Sequence, residues 1–350
     1  MVSRDIMRST ARDLRKYYSP VLNGELRLDT NTNVLGSNPA AMKFIRDQRT
    51  DLSEYPSTYS DGLRSSLADL YGLDTDNFVA GSGSDEMLDI SFKTFTEWGD
   101  GCLFPYPSYS LYDYFAKING CKVSFSDLTE DFQLDVGSIV SSGAKIVIIA
   151  SPNNPTGNSF RQKDIEEILA EFKGIVIVDE AYGEYSDRSM IPYVNEYSNM
   201  IVFRTFSKAY AMAAMRVGYA AAGRDLADMM NAVKIPYSLN SLSEGAAIAA
   251  LRDQDFVKKS REMVLRERPR LASGLSELGF RTYPSDSNFV LAVSPISHSA
   301  LTDSLKQRGI LIRDFGNRRR TENCVRFTVG TGDMNNRLLS AIRGILEECG

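Results

Sequence analysis

Lys208, Asp179, Asn154 and the turn Gly81-Ser-Gly-Ser-Asp-Glu86 are the residues whose types and spacing could do chemistry together. A lysine amine condenses with an aldehyde to a Schiff base. A carboxylate at the inner end of a buried strand is costly unless it meets a cation, and a protonated pyridine nitrogen is such a partner. Asp179 would then keep the ring protonated and make it an electron sink. A Gly/Ser turn that opens a helix offers backbone N–H groups and the positive end of the helix dipole to a phosphate, to which Ser207 and Arg216 would add contacts. Phosphate, pyridine ring and aldehyde describe one cofactor chemistry, which needs no catalytic histidine; the sequence has one, His298. Singly, each residue has a plainer reading. Asp179 can be a strand-end cap, Tyr182 a core aromatic, Asn153-Asn154-Pro155 a turn and Lys208 a surface lysine. The turn lacks the third glycine of a dinucleotide fingerprint, which leaves Ser84 or Asp85 as an ordinary N-cap.

Their order along the chain separates the two readings. Three apolar, β-branched runs, Lys145-Ile-Val-Ile-Ile-Ala150, Gly174-Ile-Val-Ile-Val178 and Met200-Ile-Val-Phe203, read as strands covered on both faces. Ser151-Pro-Asn-Asn-Pro-Thr-Gly157 follows the first, Asp179-Glu-Ala-Tyr182 the second, and Arg204-Thr-Phe-Ser-Lys208 the third, with Arg216 eight residues beyond the lysine. In open parallel sheets ligands bind beyond the carboxyl ends of the strands, where all of these groups would lie.

Helical spacing at Ile165, Ile168, Leu169 and Phe172 predicts a helix over 161–172 between the first two strands, which makes a βαβ unit. Further helices are predicted over 61–71 and, behind the Gly/Ser turn and the short strand Phe78-Val-Ala80, over 85–96. From about Leu239 a long helical region leads into strands around Phe289-Val-Leu-Ala292 and Cys324-Val-Arg-Phe-Thr-Val329. The expected fold is α/β, a large domain with a mostly parallel central sheet flanked by helices plus a smaller α+β domain. The divisions are an N-terminal arm over 1–35, the large domain over 36–240, and a linker helix with the small domain over 241–350. The only basic cluster, Gly316-Asn-Arg-Arg-Arg320, reads as a solvated loop.

With 40 Lys and Arg against 45 Asp and Glu, the net charge of −5 gives no bulk attraction for nucleic acid or anionic lipid. Small ligands in local pockets are the expected partners. Cys102, Cys121, Cys324 and Cys349 form no CxxC pair and no metal-type spacing with His298, so they read as reduced thiols of a cytoplasmic protein. The first residues carry charges of both signs and lack the apolar centre of a signal peptide. The most continuous small-apolar stretch, 209–223, is interrupted by Arg216 and is too short to span a bilayer.

Taken with Tyr55-Pro56, Pro107-Ser-Tyr109, Ile312-Arg-Asp314 and Cys324-Val-Arg-Phe-Thr-Val-Gly330, these stretches make the chain resemble, over nearly its whole length, the fold-type I pyridoxal-phosphate (PLP) enzymes. Within them it is most similar to the histidinol-phosphate aminotransferase branch. The resemblance implies that Lys208 holds PLP as a Schiff base, that Asp179 pairs with the pyridine nitrogen, and that Tyr182 and Asn154 bond the ring hydroxyl oxygen. Tyr109 would stack on the ring. The phosphate would lie against the backbone of Ser84, Asp85 and Glu86, with Ser207, Arg216 and Tyr55, the last reaching across from a second subunit of a homodimer. Arg326 would hold the acidic end of the substrates, including glutamate's carboxylate, and Arg313 would favour a phosphate-bearing substrate. Planar bidentate geometry makes arginine apt for both, although either could instead be ion-paired at a strand end.

The sequence departs from that pattern near its start. In Leu28-Asp-Thr-Asn-Thr-Asn-Val-Leu-Gly36 the Asn-x-Asn and the glycine are kept, with Asn33 as the substrate-side candidate, but Val34 stands where proline is common. The preceding Pro-Tyr is missing, which leaves Tyr17 or Tyr18 as its substitute. Transamination between an amino donor, best histidinol phosphate, and a 2-oxo acid such as 2-oxoglutarate is the leading expectation. The alternatives are a decarboxylase, lyase or oxidase of the same fold, threonine-phosphate decarboxylase among them, and an aromatic amino acid aminotransferase. A PLP-sensing regulator would need a DNA-binding module, and no helix-turn-helix pair or basic surface precedes the match. A nicotinamide dehydrogenase fails on the incomplete glycine fingerprint.

Overall fold

A computed structural model describes residues 6–12, 14, 26–47 and 51–349. Tyr17 and Tyr18 lie outside them. The strands are β1 (Leu26–Leu28), β2 (Phe78–Gly81), β3 (Gly101–Tyr106), β4 (Lys122–Asp127), β5 (Ile146–Ala150), β6 (Ile175–Asp179), β7 (Met200–Thr205), β8 (Gly218–Ala222), β9 (Arg281–Thr282), β10 (Phe289–Val293), β11 (Ile310–Asp314), β12 (Asn317–Arg318), β13 (Thr321–Glu322) and β14 (Cys324–Thr328). The helices are α1 (Pro39–Asp47), α2 (Asp61–Tyr71), α3 (Ser84–Phe95), α4 (Leu111–Ile118), α5 (Val136–Val140), α6 (Gln162–Glu171), α7 (Arg224–Val233), α8 (Ser241–Arg252), α9 (Gln254–Glu277), α10 (His298–Gln307) and α11 (Gly332–Cys349).

The larger sheet has seven strands in the order β2-β8-β7-β6-β5-β3-β4. Its members from β4 to β7 run parallel, while β8 is antiparallel to β7 and β2 to β8. The apolar runs form its centre because 146–150, 176–179 and 200–205 are buried throughout. Val147, Ile149, Val176, Val178 and Val202 join one cluster with residues of α2, α6 and α8. Their alternates Ile146, Ile148, Ile177, Ile201 and Phe203 join another with residues of α3, α4 and α7. Period-2 alternation with both faces apolar is what a sheet between two helical layers requires. The expected fold class is thus met.

Two inner strands of this larger sheet, β3 and β8, and its edge strand β4 escaped the sequence reading. β8 is Gly-Tyr-Ala-Ala-Ala, poor in the β-branched residues that mark strands. Its small side chains suit a close neighbour: a Cβ on Gly218 would collide with the backbone of Gly83 and Ser84 at the start of α3.

The smaller sheet, β1-β11-β14-β10-β9, packs on a third cluster that includes Leu271, Leu275, Leu301, Leu338 and Ile342 from α9, α10 and α11. β1 pairs in parallel with β11, so residues 26–28 are stitched into the same sheet as the last strands of the chain. The basic cluster is not a free loop. Residues 317–322 form a hairpin, β12 with β13, that reaches from the smaller sheet to the rim of the larger one. Among the described residues, no helix is long and apolar enough to cross a membrane, and no group of His, Cys, Asp or Glu could hold a metal ion.

Candidate active site

The carboxyl ends of β5, β6 and β7 open into a cleft of about 280 Å³. Ser84, Asp85, Tyr109, Asn154, Asp179, Tyr182, Ser207, Lys208, Arg216, Arg313 and Arg326 all line it. Strands β5, β6 and β7 deliver their share because they run parallel and end at one edge of the larger sheet, and the smaller sheet and its hairpin add Asp29, Thr30, Arg313, Phe315, Arg318 and Arg326.

At one end α3 begins. Gly83 is its N-cap with φ 84°, a left-handed conformation that glycine adopts without strain, and a Cβ there would lie 2.9 Å from Arg216 Nη2. The amides of Ser84 and Asp85 fall in the first turn, which has no intrahelical acceptor for them. Arg216, itself left-handed at φ 52°, donates to Ser207 Oγ at 3.3 Å, to Ala213 O at 3.1 Å and to Asp85 Oδ2 at 3.3 Å. Burial raises the Asp85 carboxyl above its usual range, against the opposing pull of Arg216 and Lys208. A helix start, a hydroxyl and a guanidinium around one space form a cradle for a phosphate.

In the middle, Asp179 accepts from Tyr112 Oη at 2.6 Å and from the Ala181 amide at 3.0 Å. Burial lifts its pKa to about 6; these two hydrogen bonds oppose the shift, and Asp85 and Glu180 add to it. Among the described residues no cationic side chain is bonded to it, so this buried carboxylate fits a protonated ring nitrogen delivered by a ligand. Lys208 Nζ donates to Thr30 O at 3.0 Å and stands 5.6 Å from the centre of the Tyr182 ring. Tyr182 Oη accepts from Asn31 Nδ2 at 3.0 Å, and Asn154 Oδ1 accepts from Arg326 Nη1 at 2.5 Å. With its carbonyl oxygen so occupied, Asn154 keeps its amide hydrogens for another acceptor.

Arg326 is buried and also donates to Asp29 O at 2.8 Å. Arg313 stands directly opposite it across the β11–β14 pair, so both side chains leave the same face of the sheet toward the cleft.

Three expected residues lie elsewhere. Glu86 is not in the cleft lining: its amide donates to Gly83 O at 3.2 Å and its carboxylate turns back onto the Ser82 amide, so the cradle stops at Asp85. Asn33 is a correction too. Its side-chain nitrogen donates to Ala209 O at 2.9 Å and Ser260 Oγ at 2.8 Å, tying the segment to α9, and it is Asn31, two residues earlier, that meets Tyr182. Tyr55 is 81 % exposed and packs on Tyr237, outside this chain's own cleft. Tyr17 lies outside the described residues.

The sequence reading missed Tyr112, Asn31 and the carbonyl of Thr30. Tyr112 carried a faint signal: it follows Tyr109 by three residues at the start of a helix, and their rings meet edge-on at 5.5 Å.

A mostly parallel sheet between helical layers, with a lysine, a buried carboxylate and a phosphate cradle at its carboxyl edge, defines a PLP-dependent enzyme of fold type I. The sequence pattern of the aminotransferase class I and II family matches residues 23–342, and the chain belongs to that family. It is 33% identical to a histidinol-phosphate aminotransferase of Caldanaerobacter subterraneus over 98% of this chain and 99% of that one. It is 36% identical to a histidinol-phosphate aminotransferase of Pyrococcus furiosus over 93% and 94%. In three dimensions it matches the Sinorhizobium meliloti histidinol-phosphate aminotransferase, solved in complex with pyridoxal-5'-phosphate. The TM-score is 0.87 at 24% identity, over 93% of this chain and 92% of that one, a likeness of fold.

Proposed function

We propose that this PLP-dependent aminotransferase takes its amino group from histidinol phosphate and passes it to 2-oxoglutarate, as a cytoplasmic homodimer. The observation that carries the substrate reading is the pair Arg313 and Arg326, directly opposite on neighbouring strands and facing the lysine's cleft. Like charges so placed destabilise a sheet, and an acidic substrate between them offsets the cost. The two relatives at 33% and 36% identity, both histidinol-phosphate aminotransferases, support the same donor.

Bound PLP supplies an aldehyde that receives the amino group and a ring that spreads negative charge. Lys208 would hold that aldehyde and, when free, would be the amine that takes and returns the substrate's α-proton. Asp179 would keep the ring nitrogen protonated. Asn154 and Tyr182 would hold the ring hydroxyl oxygen, and Tyr109 would lie against the ring. The Ser84 and Asp85 amides, Ser207 and Arg216 would hold the phosphate. Tyr55, pointing away from its own cleft, suits the partner subunit's site. The larger unit over 36–240, preceded by the arm over 1–35, carries this machinery, and the unit over 241–350 brings Arg313 and Arg326 against it.

A half-reaction panel tests the proposal. Histidinol phosphate should convert the bound aldehyde to its amine form with a kcat/KM about tenfold or more above phenylalanine, tyrosine, arginine and phosphothreonine. A higher value for any of these replaces the donor, and no conversion by glutamate removes the 2-oxoglutarate half.

A further inference from the structure

We propose that Arg318, on the β12–β13 hairpin, determines specificity at the mouth of the cleft by gripping, with Arg313, a phosphomonoester at the far end of the substrate. The inference deepens the proposed function and rests on its reading of an acidic substrate. Three consecutive arginines on this hairpin take different positions. Arg319 pairs with Asp127 at the end of β4 and lies over the Tyr106 ring, 4.6 Å from its centre. Arg320 donates to Leu128 O and, at 2.7 Å, to Thr129 O. Both therefore anchor the hairpin, which grows from the smaller sheet, on the rim of the larger one. Arg318 is left facing inward: it lines the same cleft as Lys208 and, with Tyr106, Phe125 and Phe315, an adjoining chamber of about 150 Å³.

Nothing within the described residues neutralises it. Neither the Arg318 nor the Arg313 side chain has a hydrogen-bond or ion-pair partner there, and both are exposed. Of the carboxylates that line the cleft and the chamber, Asp29 pairs with Arg27 at 2.9 Å, Asp85 with Arg216 at 3.3 Å and Asp113 with Lys117 at 2.7 Å, while Asp179 is held by the Tyr112 hydroxyl and the Ala181 amide. Arg326 already meets Asn154 and the Asp29 carbonyl, deep in the cleft. A single carboxylate needs one guanidinium fork. A phosphomonoester carries nearly two charges on three acceptor oxygens, and it is the anion that a second and third guanidinium at the mouth can share.

The test compares holoenzyme with R318Q and with the anchor variant R319A in two matched substrate pairs, histidinol phosphate against histidinol and phosphothreonine against threonine. For each pair the phosphate preference is the ratio of kcat/KM values in the half-reaction. Loss of a charge-assisted contact should lower that ratio about tenfold or more in R318Q, mainly through KM, and less in R319A. Calorimetry on borohydride-reduced enzyme, which cannot turn over, should show the same loss of affinity for the phosphorylated ligand. Unchanged cofactor absorbance marks an intact site. If phosphothreonine outperforms histidinol phosphate and still depends on Arg318, the donor reading fails and the clamp stands. An unchanged ratio in R318Q, or a wild-type enzyme without phosphate preference in either pair, overturns the clamp.

Discussion

Asp179 and Glu180 are neighbours in the chain, both buried, and they end up in opposite circumstances. Glu180 faces the α2 side of the sheet, where Arg204 donates to its Oε2 from Nε at 3.0 Å and from Nη2 at 2.7 Å, and the Met190 amide and Ser189 hydroxyl complete its shell. The second arm of Arg204 reaches Glu184 at 2.8 Å, and Gly183 leaves room for the guanidinium. Asp179, on the other face, has a phenol and an amide but, among the described residues, no cation. The first arrangement is closed and serves the fold; the second is incomplete until a ligand arrives. A buried charge that has its counter-ion within the chain is structural, and one that lacks it marks the site.

Substitutions on the two sides should therefore fail differently. The largest effect belongs to Lys208→Ala, which should slow the half-reaction by about 10⁴-fold or more while leaving the unfolding midpoint nearly unchanged. If the variant instead unfolds readily, the cleft charges are structural and the contrast breaks. Next is Arg204→Leu, which strands two buried carboxylates. It should cost about 3–5 kcal/mol in urea unfolding, with the turnover of the remaining folded enzyme close to wild type.

Asp179→Asn sharpens the contrast because stability and activity should move in opposite directions. In cofactor-free protein the Asp179 pKa is raised from 3.8 to about 6, so the folded state binds the proton more tightly than the unfolded one. Below pH 3.8 the group is neutral in both states and contributes nothing; above 6 it is ionised in both and costs about 3 kcal/mol. Unfolding measured at pH 4 and pH 7 should show that loss in the cofactor-free wild type and not in the variant. The half-reaction of the variant should nevertheless fall about 10²- to 10³-fold. The smallest effect is that of Tyr112→Phe. Losing the bond that favours ionised Asp179 should slow the half-reaction about tenfold and displace the acid limb of its pH profile upward. A downward displacement would mean that Tyr112 does not stabilise the carboxylate.

Much of this arrangement was legible before any coordinates. The three apolar runs could only be covered strands, and each of Asn154, Asp179 and Lys208 follows its strand within five residues, so sheet topology delivers them to one edge. Strand β8 was illegible because it is built of small residues instead of β-branched ones, with Gly218 lying tight against the start of α3. The arginine cluster looked like a solvated loop because its acceptors, Asp127, Leu128 O and Thr129 O, lie nearly two hundred residues earlier.

The sequence by itself determined the cofactor chemistry, because strand ends, the Gly/Ser turn and the lysine are set by local periodicity and turn geometry. Tertiary structure alone decided which members of each similar pair do the work. Alternation places Asp179 and Glu180 on opposite faces, but only the packing of Arg204 on one side and the cleft on the other says which is the free carboxylate. In the same way Asn31 meets Tyr182 while Asn33 ties down Ser260, because what surrounds each amide comes from segments more than a hundred residues away.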